Sequence, residues 1–190
     1  MKTLSVFSSH TMMVLVFLVV ACYCPSSSQG TKRFAMEGTT ELGGSISFLS
    51  VTPVSNGRSG DSYTIFSFSP FIGYFITDGF ELGVDPFAIT TTSGSITVVN
   101  VLVAPSYNFK TDGIAYPFVE GLLGYSSISD GSTSNGVSWG LRGGVKLAVV
   151  DQGLLNLGLQ YLQITTNPSG ASNRYGSNQF SFTAGFTIWQ

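Results

Sequence analysis

The chain has 190 residues, of which 9% are charged and 13% aromatic, with 23 glycines and a formal charge of −2. That is room for one ordinary domain plus a short extension, with far less charge than the quarter or so usual in a soluble domain. After residue 25 no apolar run reaches the roughly 20 residues of a membrane-spanning helix; the chain has a very large core or does not live in water, and nothing in its charge points to nucleic acid.

In chain order, the first thirty residues read as an export signal. Lys2 precedes an apolar stretch from about Met12 to Cys24, followed by the small-residue tail "PSSSQG". The stretch is too short and wrongly flanked for a stable anchor, so it predicts a secretory signal peptide over 1–30 and a mature domain over 31–190. A rival cleavage in "VVAC" would instead leave a lipidated Cys22. Cleavage after Gly30 removes Cys22, Cys24 and His10. What remains has no disulfide framework, no Cys or His for a metal centre and no histidine for a Ser-His triad. The expectation is no catalytic residue, no metal and no cofactor. Seven basic side chains then face ten acidic ones, a net charge of −3.

Alternation along the mature chain predicts eight strands and no helix, near 36–50, 62–77, 79–90, 95–110, 114–127, 136–150, 153–165 and 179–189. Most exceed the usual strand of about 5–6 residues. Tight Asp/Gly turns are expected at 77–79, 111–113 and 151–153. Longer polar loops are expected over 53–61, 128–135 and 166–178, with a short "TTSG" as the exception. Three of the strands follow tight turns and keep a glycine among apolar residues: "DGFELGV", "DGIAYPFVEGLLGY" and "DQGLLNLGLQY". Short and long connections alternating between eight strands predict an all-β fold, an up-and-down antiparallel eight-stranded barrel.

The stretch "SPFIGYFITDGFELGVDPF" separates the two faces. Pro70, Ile72, Tyr74 and Ile76, then Phe80, Leu82, Val84 and Pro86, are large and apolar. The other face mixes Phe71, Gly73 and Phe75 with Glu81 and Asp85. Turned inward, as in a lipocalin-like soluble barrel, the apolar face would overfill an eight-stranded interior. The outside would then be Ser, Gly and Thr, poor in charge for a soluble surface. Turned outward it faces lipid, which makes the fold a transmembrane β-barrel. Tyr74, Phe80, Tyr107 and Phe109 would form the interfacial girdle at the tight-turn end. Phe66, Tyr125, Trp139, Tyr161 and Phe180 would form the one at the loop end. With an export signal in front, the expected place is the outer membrane of a Gram-negative-type envelope, as a monomer with outer-membrane lipid as its partner.

In "ELGGSISF" (41–48), "FSPFIGYFITDGFELGVDP" (68–86), "VAPSYNFKTDGIAYPFVEGLLGY" (103–125) and "GLRGGVKLAV" (140–149), the chain resembles the bacterial eight-stranded outer-membrane β-barrel family, the small porin-like barrels. The resemblance spans about 36–189. It implies architecture, insertion by the barrel assembly machinery, and a structural or unassigned role. Such barrels usually end on a lipid-facing aromatic; here the alternation puts Gln190 in that place and leaves Trp189 off-phase.

The inward set carries six charges: Glu41, Glu81, Asp85, Glu120, Arg142 and Lys146. Counting from the tight turns puts Glu120 at a height between Arg142 and Lys146 on the next strand. It is therefore expected to pair with both, with Asp85, Glu81 and Glu41 completing a network that plugs the lumen. An unpaired charge there would be costly. The alternative is an ion-conducting or ligand-binding constriction, although eight strands leave little bore. Two other classes stay open. One is surface adhesion through loops that carry Arg58, Asp61, Asp130 and Arg174. The other is a lipid-modifying enzyme, although Ser67, Ser69, Ser106 and Ser138 read as lumen lining.

Overall fold

The computed structural model describes residues 34–55, 57–91, 97–130, 132–167 and 175–190; the segment expected to be an export signal, Cys22 and Arg174 lie outside them. The elements are β1 (Thr40–Ser55), β2 (Arg58–Ser59), β3 (Tyr63–Thr77), β4 (Phe80–Thr91), β5 (Thr97–Asn108), β6 (Ala115–Asp130), β7 (Ser132–Val150), β8 (Gly153–Asn167) and β9 (Tyr175–Trp189). All pairings are antiparallel between neighbours in chain order, except that the two-residue β2 sits on the top of β1 and β1 then pairs with β3. The ring closes where β1 meets β9, from Glu41↔Trp189 to Ser55↔Tyr175. Eight long strands thus form the up-and-down barrel, with β2 as a short addition at the loop end. Closure matters because backbone groups in hydrocarbon have no water to bond.

The alternation of side chains holds all the way round. Phe48, Leu123 and Leu141 are 60%, 60% and 66% exposed on the outer face, while Glu41, Glu81 and Asn108 are fully buried inside. Three prolines interrupt the ladder, since proline has no N–H to give. Pairing shifts register between Phe68 and Ile72 around Pro70, and between Asp85 and Ala88 around Pro86. Between β5 and β6 it passes directly from Val103↔Leu123 to Ser106↔Glu120, skipping Pro105.

Several boundaries differ from the sequence reading. The first strand starts at Thr40, not at 36, because the chain before it bends back across the tight-turn mouth. Ala35 at φ 64° and Gly38 at φ 81° make that reversal. It is tied down by Gly38 N–H to Phe75 O, Phe75 N–H to Thr39 O and Gly79 N–H to Ala35 O, each 2.9 Å. At the other end, 128–135 is not a loop: the β6–β7 ladder continues through Ile128↔Ser134 and Ser129↔Thr133 to Asp130↔Ser132. A strand that projects beyond the apolar band need not alternate, so its Ser, Thr and Asn read as a loop. The connection 109–114 is longer than a tight turn, with Thr111 Oγ1 donating to Ala115 O at 2.5 Å.

Candidate functional site: the filled barrel interior

Six charges, five of them buried and Arg142 nearly so, form the middle layer of the interior. Arg142 projects from β7 and makes a fork to Asp85 of β4, Nη1 to Oδ2 at 3.3 Å and Nη2 to Oδ1 at 3.4 Å. Its Nε donates to Glu120 Oε1 at 2.6 Å, and Nη2 reaches the same oxygen. Lys146, four residues nearer the turn on β7, donates to Glu41 Oε2 at 2.5 Å and to Glu81 Oε2 at 3.0 Å. Glu120 therefore bonds Arg142, and Lys146 is held by other partners. In the ring β1 and β4 each stand three strands from β7, so their carboxylates reach Lys146 across the lumen.

Neutral groups complete the layer. Thr187 Oγ1 donates to Glu41 Oε1 at 2.6 Å, and Asn156 Nδ2 donates to Thr187 Oγ1 at 3.1 Å. Ser106 Oγ and Asn108 Nδ2 each donate to Glu81 Oε2 at 3.1 Å. Higher up, Ser126 donates to Asn100 Oδ1 and shares a hydrogen bond with Ser138. Cavities of about 40 and 20 Å³ flank Arg142, the first touching Lys146 and Asn156, the second Ser69 and Gln160. Spaces of that size hold a few waters at most.

The inward face was expected to mix charges with Phe71, Gly73 and Phe75, and the structure sorts that mixture into layers. Apolar layers close the interior above and below the charges. At the tight-turn mouth Phe34, Ala35, Phe75, Leu154 and Trp189 form a buried cluster with Tyr116 and Ala148 against it. Phe34, supplied by the bent-back segment, stands edge-on to Phe75 at 5.2 Å and to Tyr116 at 5.0 Å. Above the charges, Phe71, Leu102, Leu122, Leu162 and Ile164 form a second cluster. Trp189, off-phase with the outer face, is accounted for: it points into the lumen and is 9% exposed. Gln190 extends the ladder, exchanging two 3.0 Å backbone bonds with Thr40.

Rings also surround the cation. Lys146 Nζ lies 5.3 Å from the centre of Phe34 and 5.5 Å from those of Phe71 and Phe118. That geometry favours a cation by the quadrupole of each ring face. Two facing glycines make the room. A side chain at Gly73 would fall on the Glu81 carboxylate, and one at Gly83 would meet the Phe71 ring at 2.5 Å. The sequence signal for these layers was present but weak: Phe71, Phe75 and Phe118 sit on the phase that carries the charges.

On the outer face, Phe66, Tyr74, Phe80, Tyr107, Phe109, Tyr125, Trp139, Tyr161 and Phe180 are all exposed. Tyr107 and Phe109 touch edge-to-face at 5.0 Å. Phe48, not assigned to a girdle from sequence, packs on Phe66 at 5.9 Å. Tyr161 pairs with Phe180 across β8 and β9. Ser67, Ser69, Ser106 and Ser138 all line the interior, buried. Among the described residues no group of His, Cys, Asp or Glu is arranged to hold a metal ion.

A closed up-and-down ring with an apolar outer face and a packed interior is the fold of the eight-stranded outer-membrane β-barrels, and this chain has that fold. It is similar to the crystal structure of Neisserial surface protein A, with a TM-score of 0.59 and 20% identity over 80% of this chain and 99% of that one. It is similar also to the outer membrane protein AlkL in lipid bilayers, with a TM-score of 0.50 and 12% identity over 88% and 97%. No family model matches the chain. No curated protein matches it either.

Proposed function

We propose that this chain is a monomeric integral protein of the outer membrane, exported by the signal over 1–30 and inserted by the assembly machinery, whose role is structural and non-conducting. The observation that carries the reading is the stack of three filled layers: Phe34 with Phe75 and Trp189, then the six charges, then Phe71 with Leu102 and Leu162. An ion crossing it would have to leave water at the Phe34–Trp189 mouth and again beside Phe71, Leu102 and Leu162, where only neutral groups such as Asn100 and Gln179 face it, and that desolvation is costly. Its partner is the surrounding lipid, and it works without catalysis or cofactor. Two measurements test this. The protein recovered from outer membranes should shift in mobility between boiled and unboiled samples on a detergent gel. In planar bilayers its single-channel conductance should be near zero. A large wild-type conductance would refute the closed lumen.

Interaction through the loop end is the second reading. It is favoured by the β6–β7 hairpin, which carries Ser127, Asp130, Thr133 and Asn135 on a continuous ladder. Replacing 129–133 by a two-residue turn should abolish binding to host-surface or matrix components if this reading is right. Unchanged binding, or none in the wild type, would remove it.

A further inference from the structure

We propose that one ordered water molecule is built into the barrel behind a break in the β3–β4–β5 ladder, where it supplies hydrogen bonds that two prolines cannot; the inference rests on the membrane-barrel reading. Between Phe68↔Ile89 and Ile72↔Val84, three residues of β3, Ser69 to Phe71, stand against four of β4, Asp85 to Ala88. On the other side of β4, Pro86 and Phe87 stand against Val101 alone, between Asp85↔Leu102 and Ala88↔Asn100. Strand β4 thus carries one extra residue against both neighbours. That is a bulge, and a bulge leaves its extra residue out of the ladder. Pro70 and Pro86 both fall in the gap and have no N–H to give a facing carbonyl. On β3 the gap lies between the outward rings of Phe66 and Tyr74, which belong to opposite girdles. It is therefore at hydrocarbon depth, where no water reaches it from outside and each backbone group left alone is costly.

On the lumen side of the same stretch lies the cavity of about 20 Å³ beside Arg142, and Ser69 of β3, Asp85 of β4 and Asn100 of β5 line it. Ser69 is 7% exposed, and its Oγ has no hydrogen-bond partner among the described residues. A ladder short of donors, a buried hydroxyl without a partner and a polar space therefore coincide. A water takes about 10–15 Å³ of such space and about two to four polar partners, so there is room for one and for nothing larger. The charges select a neutral occupant. A cation would face the Arg142 guanidinium and an anion the Asp85 carboxylate, whereas water suits both. The partners are at hand as well. Arg142 takes two of the roughly four acceptor sites of the Asp85 carboxylate, through long bonds of 3.3 and 3.4 Å. The water donates one proton to that carboxylate, accepts from Ser69 Oγ, and has its second proton for a carbonyl of the gap.

The test is nuclear magnetic resonance of ¹⁵N-labelled protein in detergent micelles, reading magnetisation transfer from water to the amides of Phe71, Phe87 and Ala88. Wild type should give cross-peaks with the sign of a water that tumbles with the protein. Ser69→Val puts methyl groups into the cavity and should abolish them. Ser69→Ala removes the hydroxyl, whose own exchanging proton would otherwise relay the signal, but leaves the space and Asp85; its cross-peaks should persist. No cross-peaks in wild type, or undiminished ones in Ser69→Val, overturn the water. Their loss in Ser69→Ala overturns it too, because the signal then came from the hydroxyl. Should Ser69→Val lack the heat-dependent mobility shift, Ser47→Val fills the same cavity from β1 and should abolish the cross-peaks likewise. A wild type with no mobility shift would refute the membrane barrel itself; a shift without cross-peaks refutes only the water site.

Discussion

Replacing Lys146 by methionine keeps most of the side chain's length and removes its charge. The lysine is 4% exposed and its two carboxylate partners are fully buried, at 2.5 Å for Glu41 and 3.0 Å for Glu81. With four carboxylates and two cations in the layer, the formal charge falls from −2 to −3, and two carboxylates lose the cation they share. Removing one partner of a buried pair costs about 3–5 kcal/mol. Lost cation–π attraction adds about 0.5–2 kcal/mol, which contact between the methionine sulfur and the rings of Phe34, Phe71 and Phe118 partly offsets. The net expectation stays at about 3–5 kcal/mol. Urea unfolding in lipid vesicles, followed by tryptophan fluorescence and by the gel mobility shift, reads it directly. At a slope of about 2 kcal/mol/M the midpoint falls by about 2 M. The triple variant Lys146→Met/Glu41→Gln/Glu81→Gln should recover most of the loss, since uncharged replacement of a buried pair is often neutral or stabilising. A single-variant shift under about 0.5 M, or a triple variant less stable than the single one, would refute the reasoning.

Three further outcomes are expected. Gly73→Ala places a methyl on the Glu81 carboxylate and should cost about 1–3 kcal/mol in the same urea experiment, whereas Gly143→Ala should stay within about 0.5 kcal/mol; equal effects would mean the notch at Gly73 does not matter. Phe34→Ala removes the ring that packs on Phe75, Tyr116 and Trp189 and should cost about 3 kcal/mol while leaving the mobility shift in place; an unchanged midpoint would mean the bent-back segment does not seal the mouth. The third concerns Asp78 in the exposed β3–β4 turn. A 2.6 Å bond from Lys110 Nζ, and the Glu37 N–H at 2.9 Å, hold its carboxyl below the usual aspartate range. A depressed folded pKa means the stabilisation is present above the unfolded value and is lost as pH falls through the folded one. Carboxyl ¹³C titration in micelles should find Asp78 below about 3.9, and closer to it in Lys110→Gln; titration at or above that value in the wild type would exclude the latch.

Much of this protein is local, and the sequence determined that part by itself. A side chain's face depends only on the parity of its position, so Ile72, Tyr74, Phe80 and Leu82 declare one face of the wall and Glu81 and Asp85 the other. The scarcity of charge then says which face meets lipid. Glu120 and Arg142 could be brought together from sequence because β6 and β7 are consecutive and the turn between β7 and β8 sets the height of the cation. Lys146 was different. Its partners Glu41 and Glu81 lie 105 and 65 residues away, and no count along one hairpin reaches them. Closure of β1 on β9 decides that they face Lys146, and the width of the ring decides that they touch it. The same closure turns Phe71, Phe118 and Trp189 from irregularities in a pattern into the walls of a filled interior. The residues before Thr40 show the limit most plainly: "FAMEG" continues the sequence like the start of a strand, yet the open mouth of the barrel offers Phe34 an aromatic pocket that exists only once the ring has formed.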